Sequence, residues 1–263
     1  MDLPPELQCE IFEIAVRSNR KNAALKLSLS LVAQHVHFWI DRVFYQSVTI
    51  RSRSNADKFL KLVDLKPPGF FATTVKTLLF TTHPSELQRI SILSACTGVQ
   101  SLAVWNTILR SETLLQISQL SLRRLCISIK YVPAILAAST RSRITHLDLA
   151  FQLETPEYLV GDLRQLPCLT HVAMDIDASP SIAKAVCESC PNLQVLLILD
   201  YKPPAAAAID SYSFDSRIVV EESPSDLVED WEAAPYGFPD MWTHAERVVA
   251  DRKAAAMSTG QVK

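Results

Sequence analysis

Ile144-Thr145-His146-Leu147-Asp148-Leu149 is the stretch on which the reading of this chain turns. It runs aliphatic, two others, aliphatic, one other, aliphatic, and so ends in the alternation of a short half-buried strand. The same string stands upstream as Val75-x-x-Leu78-x-Phe80, Val99-x-x-Leu102-x-Val104 and Leu122-x-x-Leu125-x-Ile127. Downstream it returns as Leu169-x-x-Val172-x-Met174 and Leu193-x-x-Leu196-x-Ile198. The starts are 24, 23, 22, 25 and 24 residues apart, a regularity that marks one supersecondary unit repeated. Tyr45-x-x-Val48-x-Ile50 reads as an earlier, more widely spaced copy, and Asp215-x-x-Ile218-x-Val220 as a final one.

Helix-compatible segments with start signals lie between the strings. Thr155-Pro156-Glu157 sets a capping hydroxyl, a proline and an acid in order, and Ser179-Pro180 repeats the device before Ile182, Val186 and Cys187. Leu87, Ile90 and Leu93 make a shorter example. A strand, a turn and a helix in about 24 residues predict an α/β chain, and the unit resembles the leucine-rich repeat. That resemblance implies a solenoid with parallel strands on one side and helices on the convex side. The Asn or Cys of that repeat is replaced by His83, Thr107, Lys130, Gln152, Asp177 and Tyr201, so an irregular solenoid without Asn ladders is expected. A doubly wound α/β domain is the alternative, disfavoured by the short period and the lack of Gly-rich switch-point loops.

Strand alternation sends one set of side chains to the face opposite the helices. Its first column is Thr77, Ser101, Arg124, His146, His171 and Val195, and its second Leu79, Ala103, Cys126, Asp148, Ala173 and Leu197. The third is Thr81, Trp105, Ser128, Ala150, Asp175 and Leu199. His146 and His171 become neighbours about 5 Å apart, with Asp148 and Asp175 near them. No nucleophile, oxyanion donor or third ligand accompanies them, so neither a catalytic residue nor a metal site is expected. Trp105, Arg124, His146, Asp148, His171 and Asp175 read instead as a mixed polar and aromatic surface for a target protein.

Upstream of the repeats, Pro4 and Pro5 suit a first helical turn, and Leu7, Ile11, Ile14 and Ala15 form one apolar stripe with Phe12 beside it. The polar run Arg17 to Asn22 reads as a linker. Leu25, Leu29 and Val32 mark a second helical face, widened by Leu27 and Leu31 until the helix must be covered from more than one side. Val36, Trp39, Ile40, Val43 and Phe44 continue at helical spacing. About 45 residues bury too little to stand alone, so the helices need the downstream domain and a further partner.

Leu3-Pro4, Glu6-Leu7, Ile11-Phe12, Leu29 to Val32 and Trp39 fall in the order and spacing of an F-box, and the segment resembles that family. Ala33 and Val36 stand where the family often has Cys and Trp. The resemblance implies that Leu3, Pro4, Leu7, Ile11, Phe12, Leu31, Val32 and Trp39 dock on the Skp adaptor and through it on a cullin. The strings Asp215 to Val220, Asp230-Trp231-Glu232, Asp240-Met241-Trp242 and Ala245-Glu246 also resemble the tail of F-box-like proteins numerous in mushroom-forming fungi.

Composition excludes other classes. Only 5 glycines occur and no phosphate-cradling loop is present, so nucleotide cofactors are not expected. A net charge of -2 without a basic run argues against nucleic acid, and no apolar run is long enough for a membrane. With no secretory signal the chain reads as intracellular, in cytoplasm or nucleus, with its 6 cysteines reduced and Cys187-x-x-Cys190 buried. Glu221 to Glu232 reads as a solvated acidic loop. Asp240 then caps a final helix whose Met241, Trp242, Ala245, Val248 and Val249 line one face, and which is expected to seal the end of the array. The expected divisions are a helical module over 1–46, repeats over 47–220, and an acidic loop with capping helix over 221–263. Two functions follow: a substrate-recognition subunit of a Skp–cullin–F-box ubiquitin ligase, or a free-standing interaction scaffold whose N-terminal helices only cap the repeats.

Overall fold

The computed structural model describes residues 3–19, 21–82, 84–105, 108–136, 143–149, 158–175 and 179–260. Its centre is one sheet of eight parallel strands, β1 (Ser47–Ile50), β2 (Thr77–Phe80), β3 (Ser101–Val104), β4 (Arg124–Cys126), β5 (His146–Leu149), β6 (His171–Asp175), β7 (Val195–Asp200) and β8 (Ile218–Glu222). They stand in strict chain order, each beside its sequence neighbour. The order never reverses, so no switch point exists and the doubly wound alternative falls away. The strands lie where the sequence string places them, including the widely spaced first copy and the last.

Register makes rows of the aliphatic positions. Val48, Leu78, Leu102, Leu125, Leu147, Val172, Leu196 and Ile218 are partners in succession across the sheet. All are buried. Against them pack the helices that join consecutive strands: α4 (Arg53–Leu65), α5 (Phe70–Thr74), α6 (Glu86–Ala95), α7 (Ser111–Ser118), α8 (Val132–Leu136), α9 (Tyr158–Leu163) and α10 (Pro180–Ser189). Phe59, Phe71, Ile92, Ile117, Ile135, Leu163 and Val186 contribute to one continuous core with the strand row, so these connections lie on a single face. The short α11 (Ala206–Ser211) precedes β8, and Tyr212 just after it joins the same core. Each buried aliphatic side chain contributes about 1.5–3 kcal/mol, which makes this row the main source of stability.

Main-chain hydrogen bonds tie each strand entrance to the next. The carbonyl of Lys76 accepts from both Gln100 and Ser101, that of Gln100 from Arg123 and Arg124, and that of Arg123 from Thr145 and His146. The pattern continues with Thr145 serving Thr170 and His171, and Thr170 serving Gln194 and Val195. One carbonyl thus satisfies two N–H groups at each strand entrance, and no buried amide side chain is required. Gly98 precedes one such entrance because a Cβ there would lie 2.0 Å from the Ala72 carbonyl oxygen.

Helix starts follow local chemistry. Ser85 and Gln88 form a reciprocal capping box on α6, and Ser179 caps α10 with Pro180 in its first turn. The Thr155-Pro156-Glu157 signal lies outside the described residues. On α6 the inward face is Ile92 and Leu93 with the buried Arg89, whereas Leu87 is exposed.

The N-terminal helices are α1 (Pro5–Ser18), α2 (Ala23–Ser30) and α3 (Gln34–Phe44). Val16, Val36, Ile40 and Val43 form their small separate core, with Phe12, Leu29, Ala33 and Trp39 packed around it. On α1, Phe12 and Val16 turn inward, and the Leu7, Ile11 and Ile14 stripe turns out. Both stripes are apolar, and α3, with its concentrated Val36-Ile40-Val43 face, selects the one that fits. α2 is not covered from several sides, since Leu27 and the following Leu31 and Val32 are exposed.

The C-terminal segment departs most from expectation. Residues 221–232 are not a solvated loop; they contain the start of α12 (Leu227–Ala233), and α13 (Met241–Gly260) follows. Leu227, Val228 and Trp231 pack on Leu79, Ala103, Trp105 and Cys126 of the sheet face opposite the connecting helices. Met241, Trp242, Ala245 and Val249 pack on Ala173, Val195, Leu197 and Val219 of the same face. α13 therefore lies across the sheet rather than sealing its end, and the molecule has three layers. A parallel sheet is stable when both faces are covered, and the second column is too apolar to face water.

Leu125→Ala, in the middle of the buried row, should lower the urea-unfolding free energy by about 2–5 kcal/mol, whereas Leu87→Ala on the exposed side of α6 should change it by less than about 0.5 kcal/mol.

Candidate functional site

Two regions collect the side chains that sequence singles out. The first is the outer surface of the N-terminal helices. Leu7 and Ile11 on α1 are 46% and 52% exposed, and Leu31 just past α2 is 86% exposed. Leu3, Pro4, Ile14, Leu27 and Val32 are exposed with them. Leu7, Ile11 and Ile14 share one side of α1 by their spacing, and Leu27 and Leu31 stand one turn apart. Phe12 and Trp39 differ from the rest of the expected docking set, being half-buried against the small core. The module is fastened to the body by Lys66 pairing with Asp41, by Lys21 with Glu229 at 2.6 Å, and by the Tyr236 hydroxyl donating to the Val43 carbonyl. None of the exposed apolar residues takes part in those anchors.

The second region is the sheet face. Register brings together the first column, Ser101, Arg124, His146 and His171 in order, as the alternation predicts. The face is not open. Trp105, Asp148 and His171 are buried, and Arg124, His146 and Asp175 are half-buried. Trp231 stands edge-on to Trp105 with centroids 6.3 Å apart and lies over the Arg124 guanidinium at 5.0 Å. Arg124 pairs with Asp240 at 2.9 Å, the Trp105 indole N–H donates to Cys126 Sγ, and the Tyr201 hydroxyl donates to Asp175. Five of the six residues expected to meet a target protein thus meet the chain's own C-terminal segment, and Asp175 accepts from Tyr201. That corrects the reading of an open binding surface, and the cause is the apolar second column that must be covered.

His146 and His171 stack, with centroids 4.1 Å apart and planes within 6°, and the Trp242 ring stands nearly perpendicular to both. Burial, the neighbouring imidazole and Arg124 push His146 down to about 3, and burial with Arg124 pushes His171 down to about 4, so both rings are neutral at pH 7. Burial pushes Asp148 up to about 6, with Cys126, Arg124 and Trp231 pulling the other way. Burial and the adjacent Asp240 push Asp230 up to about 6, although its carboxylate accepts the Met241 N–H at 2.8 Å. Asp240 meanwhile caps α13 through the Thr243 N–H.

Sequence reasoning missed Trp231, Trp242, Asp240 and Glu246 as members of this cluster. The signal was present in two halves, an apolar sheet column with no cover and an apolar helix stripe with no seat. The Cys187 and Cys190 thiols are buried, and burial pushes Cys187 up to about 12, far from a reactive thiolate. Among the described residues, no helix is long and apolar enough to cross a membrane. Comparison of the chain with protein-family models and with curated proteins found no match.

The raised Asp230 has a measurable consequence. The folded form keeps its proton up to about pH 6 while the unfolded chain releases it near pH 3.8, so wild-type stability from this group falls as pH rises between them. Asp230→Asn keeps an acceptor for the Met241 N–H and removes that loss. Relative to wild type, its urea-unfolding free energy should rise by on the order of 1 kcal/mol from pH 4 to pH 7, after allowance for solvent screening.

Proposed function

We propose that this protein is a substrate-recognition subunit of a Skp–cullin–F-box ubiquitin ligase, with the Skp adaptor held by the N-terminal helices. The observation that carries the reading is the outward stripe of Leu7, Ile11 and Ile14 together with Leu31 and Val32. Apolar side chains arrayed on two helices, turned away from a core the same helices already possess, fit a surface that a second protein covers. The alternative, a module that only caps the repeats, would require these faces to be buried against residues 51–80. They are exposed.

On this reading Leu3, Pro4, Leu7, Ile11, Leu31 and Val32 make the adaptor contact, and Phe12 and Trp39 act beneath it by fixing α1 against α3. The regular strands and one-sided helices fit an irregular leucine-rich-repeat-like array whose stiffness holds a target at a set distance from the adaptor. The target would meet surfaces other than the strand columns, which α12 and α13 occupy. The ubiquitin chemistry belongs to partner enzymes, so no residue of this chain is assigned a catalytic role.

A pull-down with purified Skp adaptor tests the assignment. Wild type should bind at micromolar concentration or tighter. Replacing Leu3-Pro4 and Leu31-Val32 by alanine should abolish capture while leaving the thermal midpoint of the body nearly unchanged, because these side chains are exposed. Absence of wild-type binding at micromolar concentrations would remove the ligase reading.

A further inference from the structure

His146, His171 and Glu246 converge from three elements, β5, β6 and α13. Their ligand-capable atoms all lie within 4.8 Å of one another. The first two are cross-strand partners in register, and the third comes from the covering helix.

Hydrogen bonding gives each ring a tautomer suited to metal binding. The Thr145 hydroxyl donates to the Arg123 carbonyl at 3.1 Å and lies 2.8 Å from His146 Nδ1. The Thr170 hydroxyl donates to the Thr145 carbonyl at 3.1 Å and lies 2.8 Å from His171 Nδ1. A hydroxyl has one hydrogen, and in each case it is already directed to main chain. With the hydroxyls so directed, the tautomer in which each Nδ1–H donates to its threonine turns the Nε2 lone pair of both rings toward a ligand.

His171 Nε2 sits 3.0 Å from Glu246 Oε1, yet it is out of hydrogen-bond alignment and has no hydrogen-bond partner among the described residues. The histidine side chain is 5% exposed. In that tautomer a lone pair and a carboxylate oxygen this close repel unless something positive lies between them. Arg124 does not serve, because its charge is paired with Asp240.

We propose that His146, His171 and Glu246 bind a divalent transition-metal ion of the Zn2+ class, through Nε2 of each histidine and the Glu246 carboxylate, and so clip α13 to the sheet. Two imidazoles and a carboxylate form a borderline-soft donor set that suits Zn2+ and does not suit Mg2+ or Ca2+. Thr145 and Thr170 supply the outer hydrogen bonds that hold metal-bound histidines in one tautomer. Coordination requires the stacked rings to splay about their side-chain torsions, bringing the two Nε2 atoms to roughly 3.3 Å for a tetrahedral ion. Glu246 is half exposed and leaves the remaining position open to water. The site stands independently of the adaptor reading.

The test is titration of the full chain with Zn2+ against a chromophoric chelator, after treatment with EDTA, alongside Glu246→Gln. One Zn2+ per wild-type chain is expected, with the variant weakened by ~10-fold or more. Glu246 is half exposed and the change is isosteric, so the variant should fold. Zn2+ should also slow amide exchange of residues 241–250 in wild type and not in the variant. Co2+ as a probe should give d–d bands without a thiolate-to-cobalt charge-transfer band. Three results would overturn the site: no saturable binding, equal affinity in Glu246→Gln, or a charge-transfer band that moves the ion to the cysteines.

Discussion

A parallel sheet has to be buried on both faces, and that constraint organises this molecule. One face is covered by construction, because each connection between neighbouring strands carries helices that return over the same side. The other face gains no cover from the repeat itself. Its second column, Leu79, Ala103, Cys126, Asp148, Ala173 and Leu197, would otherwise present an apolar strip, interrupted at Asp148, to water. Residues after β8 solve this by doubling back, with Trp231 over the early strands and Trp242 over the later ones.

The polar residues of that face then acquire roles set by burial. Arg124, which in an open sheet would be a surface cation, becomes a fixed charge between Asp240 and the Trp231 ring. A buried cation without a partner would be costly, so the position of Asp240 at the head of α13 ties the covering helix to one place along the sheet. His146 and His171 are neutral for the same reason, since taking an imidazolium out of water is unfavourable and Arg124 adds repulsion. The covering segment also joins the two ends of the chain. Glu232 accepts from the Thr49 hydroxyl of β1 and Tyr236 reaches Val43, so the N-terminal helices rest partly on residues near the C-terminus.

The N-terminal module obeys the opposite logic. Its core of Val16, Val36, Ile40 and Val43 is closed, yet α1 and the end of α2 keep a second apolar face outside. Leu7, Ile11, Ile14, Leu31 and Val32 on that face are exposed. The contrast between a sheet that is covered and helices that keep an apolar face exposed separates the body of the protein from its N-terminal module.

The strand positions, their parallel register and the single core row were legible in the sequence because a period of 22 to 25 residues and an alternation of two leave few other arrangements. The columns of the second face, with His146 beside His171, followed from the same alternation. The packing direction of α1 did not follow, since Leu7-Ile11-Ile14 and Phe12-Val16 are both apolar stripes and only the shape of α3 chooses between them. Nor did the seat of the final helix. Its apolar stripe states that it must be covered, and the sheet column states the same, but no local rule couples residues 70 to 150 positions apart in the chain. That pairing exists only once the sheet is assembled and the returning chain packs on it. It alone brought Asp240 to Arg124 and Glu246 to the two histidines.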